Sequence, residues 1–479
     1  MEELRIYIDG AWHGAAGRVT EPVVDPATGQ PFADLVHASR SDLDLALGAA
    51  ERAMPAWRAT PASARGAILA KAAALLRERA DQIARIMTIE QGKPLQEARL
   101  EVGLTADIVA WNGEEATRLY GRIIPARNGA LRHMVLNEPI GPVAAFTPWN
   151  FPLMMPGRKV SSALAAGCTC IIKASEETPG TAIALAQVMH DAGVPPGVLA
   201  FVFGVPAEVS EYLIASPVIR KVSFTGSVPV GRIIGRLCGD QVKPVTLELG
   251  GHAPVLIFDD VDPVRAAKMS AATKFRNAGQ VCISPTRFYV QEGVHDRFVT
   301  EFAEAARKIN VGPGIEPGVG MGALANPRRV AAIEGMVNDA KVHGAKVEAG
   351  GGRVGNAGFF FQPTVLSDMP DAAQAMSLEP FGPLAVVQSF RSEEEALQRA
   401  NSLPYGLAAY AFTADADRQV RLADGIESGM VGLNTFHIAA ADTPFGGVKD
   451  SGHGSEGGVE GLSAFTTTKF VAQASAHPH

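Results

Sequence analysis

The sequence predicts an α/β fold, and three observations carry that expectation. From about residue 142, short apolar runs alternate with helical stretches, with crossovers of a length that suits βαβ units. Such alternation implies a parallel sheet covered on both faces. A second strand-and-helix series follows from Val255. Hydrophobic residues make up 47 % of the 479, and charged residues 19 %, which excludes a mostly disordered chain. Length alone allows roughly two to four domains.

Taken in order, Arg5–Ile8, Asp9-Gly10 and Ala11-Trp12 read as a hairpin, because Asp-Gly suits a tight primed turn. Leu43, Leu47, Ala50, Met54 and Trp57 recur at helical spacing on one face. Ser41 with Asp44 three residues later reads as the capping box of that helix. Residues 62–91 read as a second long helix, stopped by Gly92 and Pro94, and residues 96–118 as a third. Strands are then expected at 143–146, 169–173, 198–203, 221–224 and 245–249, with helices between them. The second series places strands at 255–258, 287–290, 384–390, 408–412 and 430–433. Residues 131–137 and 465–472 fit neither series and read as edge strands, which need a partner or a cover.

Charge and cysteine usage narrow the function. Lys and Arg number 43 against 50 Asp and Glu, a net charge of −7 with no basic block, so nucleic acid is not an expected partner. No apolar run approaches the roughly 18 residues of a membrane span. MEELRIYIDG lacks the basic-then-apolar pattern of a secretory signal, so a cytoplasmic protein is expected. Four cysteines are too few for a disulfide framework, and no Cys/His spacing suggests a metal.

Each cysteine is therefore weighed for chemistry. Cys168 and Cys170 lead into a strand and Cys238 lies in a helix, so all three read as packing residues. Cys282 stands in NAGQVCISP, a loop between Gly279 and Pro285 that can present sulfur to a ligand or simply pack it. Glu248 ends an apolar strand before Gly250-Gly251, where α/β proteins place functional groups, though an ion-paired edge glutamate fits as well. Asn150 in TPWNFP can donate to an oxyanion or serve as a turn residue. FTGS at 224–227 joins a strand to a helix N-terminus, a natural anion site. Glu176, after the strand ending at Lys173, can accept both hydroxyls of a ribose. No GxGxxG follows any strand, which argues against the ordinary dinucleotide fingerprint.

Together these stretches resemble the aldehyde dehydrogenase superfamily. TPWNFP, KASEETP, FTGSVPVG, LELGG, NAGQVC, LEPFGP and PFGGVKDSG occur in the family's order across nearly the whole chain. The family binds NAD(P) without the glycine fingerprint. The resemblance implies a Rossmann-type cofactor domain over 1–121 and 142–250. It adds an α/β catalytic domain over 251–440 and a small β oligomerisation domain from 122–141 and 463–479. Cys282 falls on the nucleophile, Glu248 on the general base, and Asn150 on the oxyanion hole with the Cys282 backbone N–H. Lys173 and Glu176 fall on adenosine-ribose contacts, Ser227 on the pyrophosphate contact, and Glu379 and Phe381 on the nicotinamide-ribose side. Thr147, Trp149, Asn150, Gly204, Thr225, Gly226 and Leu249 complete the implied cofactor contacts. NAD is the expected cofactor, with NADP as the alternative, because a carboxylate at 176 repels a 2′-phosphate.

Within the family the chain resembles succinate-semialdehyde and α-ketoglutarate-semialdehyde dehydrogenases. Arg158 and Arg276 match two arginines that hold the substrate's distal carboxylate. Ala439 departs from the pattern, since the succinate-semialdehyde enzymes often place a serine hydroxyl there. The expected partners are a small anionic aldehyde and further copies of the chain, as a homodimer or homotetramer. A cysteine hydrolase is a rival, but no histidine motif is linked to Cys282. A CoA-acylating relative generally lacks the base glutamate.

Overall fold

The computed structural model describes residues 2–474; the part of the expected oligomerisation segment beyond 474 lies outside them. An eight-stranded sheet runs in the order Gly452–His453, Val245–Glu248, Lys221–Thr225, Val143–Phe146, Cys170–Lys173, Leu199–Val202, Ile6–Ile8 and Ala11–His13. Its five central strands are mutually parallel, and the outer pairings are antiparallel. Strand order departs in both directions from Val143–Phe146, first toward Cys170–Lys173 and later toward Lys221–Thr225. That reversal opens a crevice at the carboxyl ends of the strands.

A seven-stranded sheet, parallel except at Lys346–Ala349, forms the second half. Its order is Lys346–Ala349, Thr364–Ser367, Leu384–Phe390, Pro285–Gln291, Ala253–Ile257, Ala408–Phe412 and Met430–Leu433. Each large sheet has its own apolar core. The chain returns from the second half to the first at Gly452–His453, which pairs with Val245–Glu248.

The hairpin forms as expected, with Asp9 and Gly10 both at positive φ (52° and 80°) in the turn. Three expectations need correction. The first helix, Arg40–Ala59, is capped by Ser39 and Asp42, not by Ser41 and Asp44. Both serines have aspartate three residues on, but Ser39 is the one in extended conformation, so only its hydroxyl faces the free N–H groups. The expected helix over 62–91 is two helices, Ala62–Glu78 and Ala80–Gln91, divided at Arg79. Arg79, at φ −95° and ψ 14°, leaves the helical conformation there without glycine or proline. Residues 131–137 are no edge: Leu131–Pro139 is the centre of a three-stranded sheet between Arg122–Ile124 and Thr466–Ala474. The partner that strand needs lies some 330 residues away in the same chain, at the Lys469 to Leu136 pairing. This sheet leaves Phe470 59 % and Ile123 71 % exposed.

A further three-stranded sheet, Glu2–Leu4 with Gln30–Val36 and Thr20–Asp25, has no counterpart in the sequence reading, nor do Lys346–Ala349 and Thr364–Ser367. Among the described residues no helix is long and apolar enough to cross a membrane.

Candidate active site

Three strand ends deliver residues to the crevice. Val143–Phe146 is followed by Trp149 and Asn150, Lys221–Thr225 by Gly226 and Ser227, and Val245–Glu248 by Leu249 and Gly250. These residues, with Glu379 and Phe381 from the second half, line a cavity of about 500 Å³. Ser227 sits at the N-cap of Val228–Asp240, makes no side-chain capping bond and lines the cavity. Phe381, at φ 42°, turns its ring edge-on to Trp149 at 5.5 Å.

A second cavity, of about 270 Å³, approaches the same point from the other side. Phe151, Arg158, Arg276, Phe436, Ala439 and Phe445 are among its walls. Cys282 lines both cavities, as do Met155 and Phe445. The sulfur thus stands between two chambers. Cys168, Cys170 and Cys238 are buried, while Cys282 is half-buried.

The loop before Cys282 is unusual in its backbone. Asn277 and Ala278 both adopt the left-handed region (φ 50° and 51°), followed by Gly279 at φ 70°. Such residues cost about 1 to 3 kcal/mol each and persist only where their surroundings enforce them. The surroundings do so. The Asn277 side-chain amide donates to the Asn150 carbonyl at 2.9 Å and to the Gln280 carbonyl at 3.2 Å. The Asn150 amide donates to the same Gln280 carbonyl at 3.1 Å. Ala325 N–H donates to Gln280 Oε1 at 2.9 Å. A Cβ at Gly279 would stand 2.0 Å from the Gly382 carbonyl oxygen, so no other residue fits there.

Buried charges frame the site. Lys93 donates to Glu101 at 2.5 Å and to the Asn150 carbonyl at 2.9 Å. Glu101 in turn accepts the N–H groups of Leu153 and Met154, at the start of helix Met154–Ala166, where a carboxylate meets the positive end of the helix dipole. That helix presents two successive cations. Arg158 is buried against the Phe445 ring at 4.8 Å, with Nε and Nη1 lacking protein partners. Lys159 turns the other way, to Glu456 and Ser223.

Glu248 is 2 % exposed, and both its carboxylate oxygens lack hydrogen-bond partners. Burial first, then repulsion by Glu456, holds its carboxyl well above the ordinary range, against the pull of Lys159 and Arg158. Burial, with Glu379 and Glu248 nearby, pushes the Cys282 thiol up to about 12. Glu379 is itself raised to about 7 by burial, although the Gly251 N–H and Arg329 favour its charged form. Among the described residues no cluster of side chains could hold a metal ion.

The structure therefore brings together Cys282, Glu248, Asn150, Trp149, Thr225, Gly226, Ser227, Leu249, Glu379 and Phe381, with Arg158 and Arg276 on the opposite chamber. Lys173 and Glu176 pair with each other one strand away and do not line the cavity. Thr147 is buried and ties its N–H to the Lys173 carbonyl at 3.2 Å. Gly204 borders a separate groove of about 700 Å³ with Ser39 and Tyr212, and its N–H reaches Glu176 at 3.4 Å. Sequence reasoning misses Arg328 and Arg329 on the larger cavity, the Lys159–Glu456 pair, and Glu97. Their partners are distant in sequence, up to 297 residues for Lys159 and Glu456, so no local spacing marks them.

Comparison with known proteins agrees with this geometry. The model of the aldehyde dehydrogenase family matches residues 12–471. A 4-(hydroxymethyl)benzenesulfonate dehydrogenase of Comamonas testosteroni is 46 % identical over 97 % of both chains. The NADP(+) succinate-semialdehyde dehydrogenase of Escherichia coli is 42 % identical, covering 97 % of this chain and 96 % of the relative. The crystal structure of a succinate-semialdehyde dehydrogenase from Burkholderia pseudomallei superposes with a TM-score of 0.97 at 41 % identity, over 98 % of each chain. With a sulfur set between two chambers and a family match over nearly its whole length, the chain belongs to the aldehyde dehydrogenase family and is an aldehyde-oxidising enzyme that uses a nicotinamide cofactor.

Proposed function

We propose that the protein oxidises a small dicarboxylic semialdehyde, succinate semialdehyde foremost, to the acid, with NAD as the preferred cofactor. The observation that carries this reading is the substrate chamber itself. It is apolar around Cys282 yet holds Arg158, whose buried guanidinium leaves Nε and Nη1 unpartnered, and Arg276 nearer the surface. A buried cation without a hydrogen-bonded anion invites one from the substrate.

The larger cavity suits the cofactor: the Ser227 helix start matches a pyrophosphate, and Arg329 Nε is buried there without a partner. Ser227, Glu379 and Phe381 would hold its pyrophosphate and nicotinamide ribose, and Lys173 and Glu176 its adenosine ribose. The Glu176 carboxylate repels a 2′-phosphate, which supports NAD over NADP.

In this reading the Cys282 thiolate adds to the aldehyde carbon, and Asn150 with the Cys282 N–H stabilises the oxyanion. A nicotinamide bound in the larger cavity would supply the hydride acceptor, and Cys282 would hold the resulting acyl group as a thioester. Glu248 then takes a proton from the attacking water, and the sulfur leaves as thiolate. α-Ketoglutarate semialdehyde is the second reading, favoured by Ala439, which supplies no hydroxyl and leaves room in the chamber.

We also propose the three-part domain division stated above, and that the sheet exposing Phe470 pairs with another copy of the chain to give a homodimer or homotetramer. The substrate test is Arg276→Ala, assayed with both cofactors. KM for succinate semialdehyde should rise about 10- to 100-fold, the worth of a charged hydrogen bond, and that of a neutral aldehyde of similar length should change little. Equal effects on both would remove the anion anchor, and better kcat/KM with NADP would overturn the cofactor preference.

A further inference from the structure

Glu97 lies in the first turn of helix Leu95–Glu115 and lines the substrate chamber. It belongs to none of the roles described above. Its Oε2 accepts the backbone N–H of Asn277 at 2.8 Å, across 180 residues of sequence. Asn277 is the first of the three left-handed residues that precede Cys282. Its side chain holds the Asn150 carbonyl and the Gln280 carbonyl, and the Gln280 carbonyl also receives the Asn150 amide. One backbone N–H thus anchors the turn that sets both the nucleophile and the oxyanion donor. On the far side, Tyr410 donates to the Ile283 carbonyl at 2.7 Å and Lys274 to Ser284 at 3.0 Å. The loop is clamped after Cys282 by these bonds and before it by Glu97.

We propose that Glu97 is a positioning residue of the reaction: its carboxylate oxygen locks Asn277 and thereby the left-handed turn that aims Cys282 at the carbonyl seat beside Asn150. The proposal rests on the reading of Cys282 as nucleophile. The role is geometric. It needs an acceptor at the reach of a glutamate side chain, and charge is secondary. That separates two substitutions. Glu97→Gln keeps the reach and an acceptor oxygen but loses the charge. Glu97→Asp keeps the charge but is one methylene short.

The experiment is the pre-steady-state burst of NADH with a neutral aldehyde and saturating NAD. Glu97→Gln should keep the burst rate within about threefold of the parent. Glu97→Asp should lose about tenfold in burst rate, short of the ~100-fold that a 1 Å misplacement can cost. Its KM should stay within about threefold. An order reversed, with Asp above Gln, would overturn the proposal. So would a parental burst rate in both variants, or an Asp variant that loses amplitude at unchanged rate, since that is loss of folded sites alone. Glu97→Gln is decisive by itself: a tenfold loss there sinks the proposal whether or not the Asp variant folds. Normal turnover by Cys282→Ala would instead overturn the nucleophile reading on which the proposal stands.

Discussion

Cys282 and Glu248 share a physical problem. In the proposed mechanism each must ionise to act, and burial favours the neutral form of each. With the thiol at about 12, the thiolate at neutral pH is a very small fraction, and it grows about tenfold per pH unit. Glu248, raised in the same sense, also gains its proton-accepting form as pH rises. The two signs agree, so kcat should climb between pH 6 and 9. A stopped-flow burst and a steady-state profile over that range would show it, and a flat or falling profile would contradict it. The Arg158 guanidinium favours the charged form of both. Cys282 and Glu248 were legible in the sequence through the family-like motifs NAGQVC and LELGG that contain them, since a loop cysteine and a strand-end glutamate alone left a packing or ion-paired reading open. Glu97 was not, because its meaning lies in one backbone N–H on a distant loop.

Elements were legible where a local period or a turn signal governs them. The parallel strands from Val143–Phe146 to Val245–Glu248 and the helices between them fall close to the expected bounds. Helix Met154–Ala166 is an informative case: Met155 to Ala166 are all buried, so it carries no polar face, and its function lies in what Arg158 and Lys159 each turn toward. Periodicity cannot distinguish two serines two residues apart as caps, and the structure selects Ser39 by its backbone angles. That choice is testable. Ser39→Ala should lower stability by about 1 kcal/mol, and Ser41→Ala should leave it within about 0.5 kcal/mol. Denaturant melts of the two variants compare them directly, and the reverse order would restore the capping box expected from spacing.

At the scale of the molecule, two cores meet along the crevice that holds Cys282. The third unit, the sheet of Arg122–Ile124, Leu131–Pro139 and Thr466–Ala474, packs little of its own surface. Thr466–Ala474 is one of its two outer strands, and an outer strand exposes unpaired backbone groups that must be answered. Phe470 at 59 % exposure adds an apolar side chain to that edge. On the proposed pairing of copies through this sheet, Phe470→Lys should shift the protein toward monomer in sedimentation velocity at micromolar concentration. An unchanged mass would remove this face from the assembly.

The sequence by itself determined the fold class, the family resemblance and the residues of the crevice that sit at strand ends, because each is written in a short run of chain: alternation, a glycine turn, a cysteine in a loop. Only the tertiary structure decided that one sulfur borders two chambers, that Arg158 Nε and Nη1 find no protein hydrogen-bond partner while Lys159 pairs with Glu456, and that Glu97 grips the loop before Cys282. The physical reason is range. Backbone period and turn chemistry act over a few residues, whereas burial, charge pairing and hydrogen bonds between loops are set by whichever distant segments the two cores bring together.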